Sequence, residues 1–151
     1  MNYLSKSKND TIKFGRRLAR LLEKGDIVCL FGDLGTGKTT LTKGIARGLK
    51  IKAAEIVSPT FVLLNIYKGR LPLYHFDFYR MENTSQIREL GYEEYFFGEG
   101  VSVIEWAQRL GELLPKDYLK VRMLFKDNHT RLITISGCGR RPREIAKKIV
   151  K

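Results

Sequence analysis

Apolar positions along the chain change period several times, and each change predicts an element. From Asn9 to Glu23 the residues Ile12, Leu18, Ala19 and Leu22 recur at helical spacing, with Asp10 placed to cap the amino end and Gly25-Asp26 to break the run. Ile27 to Phe31 (IVCLF) is apolar throughout, as in a strand buried on both faces. Helical spacing returns from Lys38 to Leu49 and stops near Gly48. Thr60 to Tyr67 and Leu71 to Phe78 are β-rich and flank Lys68-Gly69-Arg70, which reads as a hairpin turn. Thr84 to Phe97 predicts a helix interrupted around Gly91, and Val101 to Ile104 a second all-apolar strand. Tyr118 to Phe125 and Arg131 to Ser136 alternate on either side of KDNHT, a second hairpin. Gly139 to Lys151 predicts a helix with Ile145, Ile149 and Val150 on one side and basic residues on the other. The sum is an α/β fold with a mixed sheet, its buried central strands extended by antiparallel additions.

Composition narrows this picture without redirecting it. At 151 residues, 43% hydrophobic and 29% charged, the chain predicts one globular domain. No apolar run approaches the roughly 18 residues of a membrane helix, and MNYLSKSKND carries no apolar signal core. Cys29 and Cys138 are isolated, with Cys29 in an apolar run, so a reducing cytoplasm without membrane attachment is expected. The net charge of +12 favours polyanionic partners, although it also serves solubility. The basic residues look scattered, concentrated only in GRRPREIAKKIVK, where a solvated helix face is the simpler reading and a nucleic-acid site the other.

The stretch between the first strand and its helix carries chemistry. Gly32-Asp33-Leu34-Gly35-Thr36-Gly37-Lys38-Thr39 fits G-x-x-x-x-G-K-[ST], preceded by a buried strand and followed by a helix. A helix start presents N–H groups without partners, and its dipole favours anions. Glycine lets the backbone approach a phosphate closely in unusual dihedrals. Gly35 and Gly37 suit that task, Lys38 supplies a charge for β- and γ-phosphates, Thr39 a hydroxyl for Mg²⁺, and Thr40 a further phosphate contact. The expectation is ATP with Mg²⁺ in a P-loop NTPase-type three-layer sandwich whose central sheet is mixed and mostly parallel.

Such a site needs acids to hold the metal, and the end of an apolar strand is the usual place. PLYHFD ends in Asp77 and GVSVIE in Glu105, both near the presumed carboxyl edge of the sheet. Asp77 suits a water-mediated metal contact or the orientation of an attacking water, and Glu105 a direct ligand; the sequence leaves the division open. Trp106 stacks on a base or packs in the core. His75 and His129 read as structural. In SPTF, Ser58 and Thr60 offer hydroxyls beside the stiffening Pro59, in a region that can sense a γ-phosphate.

Taken in order, GDLGTGKTT, SPTF, YHFDFYR, ELGYEEYF and VIEW resemble the TsaE (YjeE) ATPases of bacterial tRNA threonylcarbamoyladenosine (t6A) biosynthesis, over Gly32 to Trp106. The resemblance implies a slow Mg²⁺-dependent ATPase that works with TsaB and TsaD, which transfer a threonylcarbamoyl group to adenosine 37 of tRNA. It implies phosphate and metal roles for Lys38 and Thr39, a phosphate role for Thr40, metal and hydrolytic roles for Asp77 and Glu105, a nucleotide-sensing role for Thr60, and an adenine contact around Lys8 to Thr11. Trp106 would lie beside the site. The main rival is a small-molecule kinase, against which stand the short region after Ala107 and the dispersed Arg80, Arg88 and Arg109. A nucleotide-responsive interaction protein is the second rival.

Overall fold

The computed structural model describes residues 1–57 and 63–149; SPTF, with Thr60, and Val150 lie outside the described residues. The elements run β1 (Asn2–Ser5), α1 (Lys8–Ala19), β2 (Ile27–Phe31), α2 (Lys38–Gly48), β3 (Leu64–Tyr67), β4 (Leu73–Asp77), α3 (Thr84–Glu89), α4 (Glu93–Phe96), β5 (Val101–Glu105), β6 (Tyr118–Phe125), β7 (Arg131–Cys138) and α5 (Arg140–Ile149). They build a seven-stranded sheet in the order β1-β7-β6-β2-β5-β4-β3. The four central strands, β6, β2, β5 and β4, run parallel. The β6–β7, β7–β1 and β3–β4 pairs are antiparallel additions.

Alternation along the central strands splits the core in two. Val28, Leu30, Val103 and Val121 face α1, α2 and α5 through Leu18, Ile45 and Ile145. Ile27, Cys29, Phe76 and Ile104 face the other way, onto Ile87 of α3, Phe96 of α4 and Leu110 of a 3-10 segment, Ala107–Leu113. Being buried on both faces is why β2 and β5 read as unbroken apolar runs. Burial also pushes the Cys29 thiol well above its usual titration range. No described helix is long and apolar enough to cross a membrane.

At the amino end the structure adds one element and corrects one expectation. β1 was not anticipated, because only Ser5 of its four residues is buried and no alternation betrays it. It is held by pairing with β7 and by the amino-terminal ammonium, which donates to Ile135 O at 2.7 Å. The cap of α1 is Ser7, not Asp10: Ser7 Oγ accepts from the Asp10 N–H at 3.1 Å. Asp10 stands three residues on, and its carboxylate accepts from the Lys6 N–H at 3.1 Å, a reciprocal arrangement close to a capping box. The interruption at Gly91 holds, with φ 64° there separating α3 from α4.

Helices α1 and α2 pack backbone to backbone. A Cβ on Gly44 would lie 2.5 Å from Ile12 O, and one on Gly15 2.7 Å from Leu41 O. Beyond them α2 ends in a Schellman motif: the Ile51 N–H donates to Ala46 O at 2.9 Å and the Lys50 N–H to Arg47 O at 3.1 Å. That motif needs a left-handed residue, normally glycine, and here Lys50 takes it with φ 63°.

The basic carboxyl-terminal helix is tied to the body at both ends. Arg17 donates to Ile149 O at 2.7 Å. Arg141 forks onto Asp26 at 2.8 and 2.7 Å and reaches Leu21 O at 3.1 Å. Replacing Arg141 with alanine removes a bidentate, partly buried pair, so urea denaturation should show a loss of about 1–2 kcal/mol. An unchanged midpoint would mean that α5 is held by its apolar stripe alone.

Candidate functional site

The loop joining β2 to α2 owes its shape to glycine. Gly32, Gly35 and Gly37 have φ of 152°, 77° and 101°. At Gly32 a Cβ would also sit 2.5 Å from Met123 O on neighbouring β6. No side chain caps α2, whose N-cap is Gly37 itself. The loop is braced from within: Thr36 Oγ1 donates to Asp33 O at 2.9 Å, and Lys38 Nζ to Gly32 O at 2.7 Å and Asp33 O at 2.8 Å. Leu34 stands out at the tip, 69% exposed.

Parallel pairing of β4 with β5 sets Asp77 beside Glu105. Both are buried, at 5% and 2% exposure, and face the start of α2. Glu105 accepts from three side chains. Thr39 Oγ1 donates to Oε2 at 2.9 Å, while Thr42 Oγ1 at 3.1 Å and His75 Nε2 at 2.8 Å reach Oε1. Asp77 Oδ1 accepts from the Tyr79 N–H at 2.9 Å. Burial lowers the Lys38 pKa from its ordinary value, and the nearby Glu105, Asp77 and Asp33 oppose that shift.

Trp106 follows Glu105 in a left-handed conformation, φ 58° and ψ 43°, which is strained for so bulky a residue. Its ring lies 4.2 Å from Lys38 Nζ and packs against Tyr79 at 4.8 Å. Between this ring, the loop and the two carboxylates lies a cavity of about 330 Å³, a volume suited to a small ligand. A second cavity of about 220 Å³ opens on the far side of Gly35–Gly37 and Thr40 and is lined by Ser7, Lys8, Thr11, His129 and Arg131. Thr11 Oγ1 is 2.7 Å from Ser5 Oγ, in a buried pair.

The structure therefore gathers Lys38, Thr39, Thr40, Asp77, Glu105 and Trp106 around one cavity and sets Lys8 and Thr11 beside the same loop. Thr60 lies outside the described residues. Sequence reasoning missed Thr42, His75, Tyr79, His129 and Arg131. Two of these carried a usable signal: His75 precedes Asp77 by one strand repeat, and Thr42 follows Thr39 by about one helical turn. His75 is thus not a mere core residue, because its Nε2–H holds the carboxylate, while its Nδ1 is buried with no partner among the described residues.

The model of the family described as threonylcarbamoyl adenosine biosynthesis protein TsaE matches residues 5–133. The chain belongs to the TsaE family. Among its TsaE relatives, the tRNA threonylcarbamoyladenosine biosynthesis protein TsaE of Treponema pallidum (strain Nichols) is 42% identical over 136 residues, spanning 90% of this chain and 100% of that protein. The protein of the same name from Bacillus subtilis (strain 168) is 43% identical over 133 residues, spanning 87% of this chain and 82% of that one. Among solved structures, Bacillus subtilis YdiB superposes with a TM-score of 0.84 at 34% identity, covering 99% of this chain and 93% of YdiB. The matched TsaE span holds the loop, both carboxylates and every residue lining the two cavities, and ends before α5. The names place the family in tRNA t6A biosynthesis.

Proposed function

We propose that this TsaE chain is a slow Mg²⁺-dependent ATPase that supports the threonylcarbamoyl modification of adenosine 37 in tRNA, acting on the TsaB–TsaD transferase. The observation that carries the reading is the convergence of Lys38, Thr39 and Glu105 on one cavity at the uncapped start of α2. The residues fit the nucleotide: the unusual backbone at Gly35 and Gly37 keeps side chains out of the cradle, and α2 offers its first N–H groups to an anion. They also fit the metal. Thr39 Oγ1 and Glu105 Oε2 stand 2.9 Å apart beside the loop, an oxygen pair that suits Mg²⁺, which is usually held by one or two protein oxygens together with phosphates and water. Thr39 and Glu105 would hold it, and bound Mg²⁺ would supply charge neutralisation on the phosphates.

The chain's own residues divide the remaining work. Lys38 exchanges two loop carbonyls for phosphate oxygens, which are stronger partners because both groups are charged. Asp77, set beside Glu105 by the β4–β5 pairing, orients the water that attacks the γ-phosphorus as the bond to the leaving ADP oxygen breaks. Thr42 and His75 fix the Glu105 carboxylate from behind. Lys8 and Thr11 lie where the nucleoside end would extend past the loop.

Titration calorimetry with ATP and Mg²⁺ tests binding, and phosphate release tests hydrolysis. Glu105→Gln should keep ATP affinity within a few-fold and lower phosphate release at least about ten-fold, since a neutral amide is a poor metal ligand. Parental hydrolysis in that variant would overturn the metal assignment. Phosphate transfer to a metabolite instead of water would favour a kinase.

A further inference from the structure

The fold gathers charge that the sequence scatters. Arg16 and Arg20 of α1, Arg47 and Lys50 at the end of α2, and Arg70 from the β3–β4 turn line a cavity of about 490 Å³. It is larger than either cavity beside the glycine loop. It lies at the opposite end of α2, with Gly48 about 15 Å along the helix from Lys38 at about 1.5 Å per residue. Close backbone packing builds it. A Cβ on Gly48, in its lining, would lie 2.4 Å from the Ala19 Cβ, and one on Gly69 2.4 Å from Leu49 O. The Arg70 N–H donates to Leu49 O at 2.6 Å.

Nothing among the described residues neutralises this cluster. None of the ion pairs found there involves these five side chains. Arg70 spends one nitrogen on Ala19 O and Leu22 O, at the carboxyl end of α1. Two helix carboxyl ends supply only about half a negative charge each, which leaves roughly four positive charges unanswered. Lys50 moreover occupies a left-handed position that glycine would fill without strain.

We propose that this cleft receives the phosphodiester backbone of a folded RNA. Guanidinium forks match phosphate oxygens in pairs. The lining holds no apolar or aromatic side chain, so it lacks the anchors of a protein interface and the stacking platform of a single-strand site. What remains is recognition of backbone charge and shape. The choice of tRNA as the RNA rests on the proposed function; the cleft itself does not.

The test is fluorescence anisotropy of a labelled tRNA transcript with the full chain, between about 50 and 200 mM salt. Replacing Arg16, Arg20 and Arg47 together with alanine should weaken binding at least ten-fold at the lower salt. It should also flatten the log–log salt dependence by about 0.9 for each phosphate that is no longer neutralised. The matched triple Arg143→Ala, Lys147→Ala, Lys148→Ala removes equal charge from exposed α5 and should change binding less than two-fold. Lys50→Gly should weaken binding without lowering the melting temperature. Equal losses in the two triples, no binding by the parent, or displacement of tRNA by polyglutamate of matched charge would overturn the proposal, the last in favour of an acidic protein. ATP titrations on the same proteins separate the two readings. A parent that binds tRNA but no ATP upholds the cleft and sinks the proposed ATPase, and the reverse result does the opposite.

Discussion

Lys38→Ala is expected to weaken ATP binding at least about 100-fold, equivalent to about 2.7 kcal/mol, as measured by titration calorimetry with Mg²⁺ present. The ammonium is nearly buried, held by Gly32 O and Asp33 O and set 4.2 Å from the Trp106 ring, and among the described residues no other cationic side chain lines that cavity. The fold itself gains little from this charge. Because burial lowers the Lys38 pKa from 10.5, the unfolded chain binds the proton more tightly than the folded one. Parental stability should therefore rise with pH between the lowered folded value and 10.5, relative to the variant, which lacks this contribution. Urea midpoints of both proteins across that window check the sign. A variant that loses stability along with ATP binding would show that the Lys38 bonds to Gly32 O and Asp33 O hold the loop's shape and that the affinity loss is structural.

Gly44→Val should cost about 3 kcal/mol of stability in urea denaturation, the upper end of the about 1–3 kcal/mol typical of overpacking. Valine forms helix somewhat better than glycine, a gain of a few tenths of a kcal/mol. Against it, the new Cβ would meet Ile12 O at 2.5 Å and the Gly15 Cα at 3.0 Å, both backbone atoms that cannot turn aside. Relief requires moving α1 off α2, which opens the most extensive helix–helix packing in the fold. A rise in stability would show that the two helices slide apart freely.

Much of this architecture could be read directly. β2 and β5 announced themselves as apolar runs because both of their faces are covered. The loop was legible because its glycines, lysine and threonine stand at fixed offsets between a buried strand and a helix. Asp77 and Glu105 followed from position, each closing a buried strand. What escaped was set by three-dimensional neighbours. β1 exists because β7 offers an edge, not because its own pattern demands a strand. Ser7 displaced Asp10 as the cap because a cap is decided by where the chain bends. His75 looked inert until strand pairing brought Glu105 within 2.8 Å. The arginine cleft draws on three separated segments, and no window along the chain contains it.

One consequence concerns the order in which the molecule comes together. Thr39 and Glu105 meet although they stand 66 positions apart in the chain, and Thr42 and Glu105 although they stand 63 apart. Closing loops of that size is entropically costly and is repaid only when the long-range parallel ladder has zipped up. Competence to bind a triphosphate should consequently emerge late during refolding, after helical signal has already returned. Capture of nucleotide would then report completed assembly rather than the first collapse.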